Sequence, residues 1–70
     1  MTNLIFSFET ETANDSIVEG LSSYMKLEPV ATTFGYHVTT VEFALEDELS
    51  AHRLGKMISA TFPEIDYYVK

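Results

Sequence analysis

The stretch that decides the fold runs Val30-Ala31-Thr32-Thr33-Phe34-Gly35-Tyr36-His37-Val38-Thr39-Thr40-Val41-Glu42-Phe43-Ala44-Leu45. Its two halves, Val30 to Phe34 and His37 to Leu45, are dense in β-branched and aromatic residues, which suit a pleated, half-buried surface. Between them, Gly35-Tyr36 puts glycine first, as a type II′ turn requires. Closing the hairpin there pairs Phe34 with His37. Val30, Thr32 and Phe34 then share a face with His37, Thr39, Val41, Phe43 and Leu45, so register and hydrophobic pattern agree. A longer loop would shift the register. The competing reading is one bent strand over residues 30–45.

Upstream, Asn3 to Glu9 reads as a strand, with Leu4, Phe6 and Phe8 alternating onto one face. Thr10 to Asn14 is a polar connector, and Asn14 or Asp15 can cap a helix by accepting from an orphan amide. Ile17, Val18, Leu21, Tyr24 and Met25 then recur at helical spacing. Gly20 weakens that helix by up to about 1 kcal/mol relative to alanine. Pro29 forbids its continuation, because it drives Glu28 out of the helical region. Downstream, Glu46-Asp47-Glu48 places negative charge at a helix start, where the macrodipole favours it. Ala51, Leu54, Gly55, Ile58 and Phe62 form one apolar stripe, and Gly55 within it suggests a helix packed closely on a sheet. Pro63 stops the helix, and Ile65, Tyr67 and Val69 alternate in a last strand.

The order is thus strand, helix, strand, strand, helix, strand. Right-handed crossovers and a central hairpin favour an α+β domain with a four-stranded antiparallel sheet, order 4-1-3-2, and both helices on one face. This is the ferredoxin-like, split βαβ arrangement. Seventy residues hold one domain, 1–70, since a chain this short buries only about 60% of its unfolded surface. The sheet face away from the helices would carry Ile5, Ser7, Glu9, Ala31, Thr33, Val38, Thr40, Glu42, Asp66 and Tyr68. Such a face stays wet or pairs with another copy, which makes a homodimer through the sheet face or an edge strand an expectation.

Composition excludes several functions. The absence of cysteine removes disulfides, thiolate metal sites and cysteine nucleophiles together. Eleven acids against four bases give a formal charge of −7. Lys26, Arg53, Lys56 and Lys70 are scattered, whereas nucleic-acid binding draws its affinity from clustered bases. Direct binding to nucleic acid or an anionic membrane is therefore disfavoured. Met1-Thr2-Asn3-Leu4 lacks the positive start of a signal peptide, and no apolar run is long enough to span a bilayer, so a cytoplasmic protein is expected.

Two groups of acids gather at opposite poles of this topology. Glu9, Glu11 and Asp15 lie with Glu64, Asp66 and His37 at one, where oxygen ligands would suit a hard divalent cation. As solvated loop acids they would simply keep the molecule soluble, and neither EF-hand nor H-x-x-x-H spacing is present. Glu46, Asp47 and Glu48 lie at the other with Glu28, Lys26 and Lys70, where dipole complementarity and exposed ion pairs are the plain reading. His37 falls on the core-facing register near the rim of the hairpin, and His52 on the solvent side of its helix. G-x-S-x-G, P-loop and G-x-G-x-x-G are all missing, and no catalytic triad can be assembled.

In length and element order the chain resembles the small CRISPR-associated and toxin-type ferredoxin-like endoribonucleases. The resemblance spans the whole chain but is one of architecture. It implies a metal-holding aspartate at the end of the first strand, where this sequence offers only Glu9 and Glu11. The layout also resembles amino-acid-sensing ACT domains, without their glycine-bearing loop after the first strand.

The function expected from these residues is non-enzymatic. A small acidic module would bind and modulate or inhibit a larger, basic, nucleic-acid-handling protein, in the style of phage or bacterial inhibitors and antitoxins. Glu9, Glu11, Asp15, Glu46, Asp47 and Glu48 would carry the contact, with no cofactor. The alternatives are a metal-dependent endoribonuclease using Glu9, Glu11 and Asp66, or a ligand-sensing ACT-like dimer.

Overall fold

Strand β1 (Thr2–Glu9) is the member around which the others are placed. The computed structural model describes residues 2–11 and 15–70, the side chains of residues 15 and 16 excepted. After β1 come α1 (Asp15–Met25), β2 (Ala31–Phe34), β3 (Val38–Leu45), α2 (Glu48–Thr61) and β4 (Asp66–Val69). β1 pairs antiparallel with β3 along its whole length, from Thr2↔Leu45 to Glu9↔Val38. On its other side it pairs antiparallel with β4, from Leu4↔Val69 to Ser7↔Asp66. β2 lies outside β3, so the sheet is open and runs β2-β3-β1-β4. That is the expected order read from the opposite edge.

Alternation along the strands sends Leu4, Phe6 and Phe8 to the side taken by Val41 and Phe43, all of them buried. They join Leu21 and Met25 of α1, Ala51 and Ile58 of α2, and Ile65 in one apolar cluster. Both helices therefore cover the same face. Phe6 and Phe43 meet edge to face, with centroids 6.0 Å apart and planes at 74°, which sets a positive ring edge on a negative face. α2 lies against β4, β1 and β3. The close packing expected at Gly55 is present: a Cβ there would fall 2.3 Å from Cδ2 of Tyr67. The apolar stripes are shorter than the sequence suggests, because Tyr24 and Phe62 stand half exposed.

The helix ends follow from local chemistry. Asp47, extended at φ −134°, caps α2 by accepting from the Ser50 amide at 2.7 Å and the Ser50 hydroxyl at 2.9 Å. α2 closes as the Phe62 amide donates to the Ile58 carbonyl at 2.8 Å, immediately before Pro63. α1 ends ahead of Pro29. Lys26 turns left-handed at φ 57°, and the Leu27 amide reaches back to the Ser22 carbonyl at 3.3 Å, a Schellman closure. The expected cap at Asn14 or Asp15 lies outside the described residues.

The hairpin forms, but not through Gly35-Tyr36. Phe34 pairs with Thr39, and the Gly35 amide donates to the Val38 carbonyl at 3.0 Å, leaving Tyr36 and His37 at the tip. No glycine has positive φ, so the turn is not type II′. Gly35 is needed for a different reason: a Cβ would lie 2.3 Å from the Val38 carbonyl oxygen. Because the register moves by two residues and not by one, every side chain keeps its expected face. His37 is the exception. It sits exposed at the tip, edge-on to Tyr36 at 4.6 Å, and not on the core-facing register.

Thr10 clips this tip to the end of β1. Its amide donates to the His37 carbonyl at 2.9 Å and its hydroxyl to the Gly35 carbonyl at 2.8 Å. With that proton committed, the fully buried Thr39 hydroxyl donates to the Thr10 oxygen, 3.1 Å away. On the sheet face away from the helices, Ile5 is only 2% exposed, a correction to its expected place on a bare surface. Glu42 and Tyr68 flank it across the neighbouring strands and cover it.

Gly55→Ala should lower unfolding free energy by about 1–3 kcal/mol through overpacking, read as a lower urea midpoint. Trimming Tyr67 to valine should cost less in that background than in the wild-type chain. Thr10→Val should cost about 1–3 kcal/mol by stranding the Thr39 hydroxyl. Thermal melts should show Thr10→Val/Thr39→Val more stable than Thr10→Val alone.

Candidate interaction surfaces

The antiparallel pairing of β1 with β3 fixes where the acids lie. Glu9 ends β1 and Glu11 follows it, beside the start of β3. Glu46, Asp47 and Glu48 leave the far end of β3 and open α2. From the Thr2↔Leu45 pair to the Glu9↔Val38 pair, the ladder is about 24 Å long at roughly 3.4 Å per residue. The two groups therefore occupy opposite ends of the sheet, as expected, and do not merge. Glu9, Glu11, Glu46, Asp47 and Glu48 are all exposed. The Asp15 side chain lies outside the described residues.

At physiological salt the screening length is about 8 Å, far shorter than the separation of the poles. Each pole therefore acts on its surroundings independently, and a partner must meet one of them or be long enough to touch both. The poles also differ in kind. At the α2 pole Asp47 is occupied with capping, and Glu48 lies 3.7 Å from the His52 imidazole one turn on. The Ser50 amide, and then the Ser50 hydroxyl, hold the Asp47 carboxyl below its ordinary pKa. Glu46 and Glu48 are thus the residues of this pole whose loss leaves the cap in place.

Among the described residues no three His, Asp or Glu side chains come together closely enough to hold a metal ion. Glu9, Glu11 and Asp66, with His37 at the hairpin tip, do not converge into the oxygen-rich site that a metal-dependent nuclease requires. Among the described residues the half-buried carboxylate is Glu42. It accepts from the Asn3 side-chain amide and lies 4.0 Å from the Lys70 ammonium, so it is already satisfied within the chain. Lys70 therefore serves the sheet face and not the α2 pole, to which its sequence position assigns it.

No protein-family model, curated protein or solved structure matches this chain. Among the described residues no helix is long and apolar enough to cross a membrane.

A feature the sequence did not signal lies between the helices. A cleft of about 330 Å³ is walled by Ile17, Gly20 and Leu21 of α1, and by Ile58, Phe62 and Ile65, with Glu64 as its charged lining residue. The Tyr24 hydroxyl donates to the Met57 sulfur and bridges the two helices. Gly20 differs from Gly55, since nothing lies within 4 Å of the Cβ it lacks. It was legible only as a propensity cost, whereas in space it leaves the cleft wall low.

Asp47→Asn should be less stable than wild type above the ordinary carboxylate range, where the depressed pKa keeps Asp47 charged and its charge stabilises the fold. That advantage is lost as pH falls through the depressed value. Thermal midpoints of the two proteins should therefore converge in acid, and a gap that persists there would show that charge is not what Asp47 contributes.

Proposed function

We propose that this chain is a ferredoxin-like, cytoplasmic, non-enzymatic interaction module that binds and modulates a larger protein with a basic surface. The observation that carries the reading is the exposure of Glu9, Glu11, Glu46, Asp47 and Glu48 at two ends of one small sheet, in a chain of net charge −7. At the rim of a contact such carboxylates keep part of their hydration, so meeting lysine and arginine there costs little desolvation. Their main effect is to steer encounter and to select partners of opposite charge. A groove that normally takes a polyanion is the surface best matched to such a module. A nucleic-acid-handling target, blocked in the manner of small phage or bacterial inhibitors and antitoxins, therefore fits the chemistry.

The test separates the poles and spares the cap. Tagged wild-type protein should retain a stoichiometric partner from source lysate at low salt and release it at high salt. Glu46→Lys/Glu48→Lys, or Glu9→Lys/Glu11→Lys, should weaken retention at least tenfold, while circular dichroism shows the fold intact. If both reversed proteins retain the partner as well as wild type, electrostatic recognition is wrong. A melting temperature raised by magnesium or manganese, and lost with Glu9→Gln, would move the assignment to the metal-dependent alternative.

A further inference from the structure

The outer edge of β2 carries no charge within the strand. From Pro29 to Val41 thirteen consecutive residues contain no Asp, Glu, Lys or Arg. Within that run Val30, Phe34, Tyr36 and Val38 are each at least half exposed. The opposite edge, β4, is different, since Asp66 opens it and Lys70 follows it. Edge strands are ordinarily guarded by charge, proline or a bulge, because their free amides and carbonyls template pairing with another chain. Ala31-Thr32-Thr33-Phe34 has neither charge nor proline within it; Pro29 and the Val30 amide, which shares the Glu42 carbonyl side with Ala31, guard only its first end.

The register says which backbone groups are free. The Gly35 amide bonds to the Val38 carbonyl, so in the alternating antiparallel pattern Thr33 and Ala31 also point their amides and carbonyls at β3. Thr32 and Phe34 point theirs outward, whereas the Val30 amide turns in to the Glu42 carbonyl at 2.8 Å. The Thr10 amide on the His37 carbonyl gives the same answer from the other side of β3. It assigns Thr39, Val41 and Phe43 to β1, and leaves Thr40 and Glu42 to β2.

We propose that β2 pairs antiparallel with β2 of a second copy of this chain, about a two-fold axis at Thr33, to make one continuous eight-stranded sheet. Only outward-pointing residues can exchange hydrogen bonds, and with the Val30 amide turned inward a centre on Thr33 engages both Thr32 and Phe34 of each copy. Centring on Thr33 sets Thr32 directly across from Phe34 of the second copy, twice over, and aromatic–β-branched pairs of this kind are favoured between strands. Phe34, 61% exposed in the single chain, is then covered from across the junction. The occupant is a second copy and not the basic partner, because this edge offers a basic surface nothing to neutralise. An identical uncharged strand meets it without burying an ion. Glu9, Glu11, Glu46, Asp47 and Glu48 lie at the ends of the sheet and not within the paired segment.

Sedimentation analysis of the full chain over a dilution series tests the pairing. The mass should rise from 7.9 kDa toward twice that value with concentration. High salt should promote the rise, since it screens repulsion between two copies that each carry −7. Salt has the opposite effect on binding to a basic partner, so the two associations cannot be confused. Amide exchange at Thr32 and Phe34 should slow with concentration. Thr32→Pro removes an outward amide without touching the β2–β3 bonds, and Phe34→Lys adds a charge at the junction; both should remain monomeric, with native circular dichroism required of whichever variant is scored. A chain that is monomeric at every concentration and salt overturns the proposal. So does a dimer that survives both substitutions, or one whose protection appears at Tyr67 and Val69 instead.

Discussion

The constraint on which everything else depends is that β1 is paired along both edges and buried on both faces at its centre. Its amides and carbonyls are divided between β3 and β4, and Leu4, Phe6 and Phe8 anchor the helix side. Ile5 is sealed on the other side by side chains of neighbouring strands. A chain of 70 residues has an unfolding free energy of only about 4–10 kcal/mol, and a single Phe→Ala change in a core costs about 3–5. The β1 phenylalanines therefore have almost no slack. The helices, the hairpin and both sets of acids take their positions from this one strand.

Much of that arrangement was legible because side-chain parity is robust. The hairpin closes two residues away from the position suggested by Gly35-Tyr36, yet Thr32, Phe34, Thr39, Val41 and Phe43 keep their common face. What was not legible was the use to which local residues are put. Gly35 suggests a positive-φ turn from sequence, but its role is to let its backbone approach the Val38 carbonyl. Ile5 belongs to an exposed alternation in one dimension and becomes buried only when Tyr68 and Glu42 arrive from other strands. Lys26 ends α1 with a left-handed residue that no sequence rule favours. For the candidate site, the exposure of the acids could be anticipated from their abundance. The cleft between the helices could not, because it depends on a missing side chain at Gly20 and on Tyr24 and Met57 meeting across two elements.

The surface divides by charge as the interior divides by face. Asp47 shows that an acid can belong to the fold and to the electrostatic field at once, its carboxylate held by Ser50 while its charge still adds to the α2 pole. Glu42 is the opposite case, an acid engaged within the chain by a hydrogen bond from Asn3 and the nearby Lys70 ammonium. Counting carboxylates therefore overstates what a partner meets, because some of them are engaged within the chain.

The two helices are unequal in a way that bears on how the molecule deforms. α2 is capped at its start by Asp47, closed at Phe62 and seated on three strands. α1 has eleven residues, a glycine in its middle, and Leu21 and Met25 as its buried anchors, and a helix of that length holds only through such anchoring. The domain is thus stiff along α2 and the sheet and compliant along α1. The width of the cleft is thus set by how firmly α1 is held against a seated α2, so the volume between the helices belongs to the anchoring of one helix and not to the sheet.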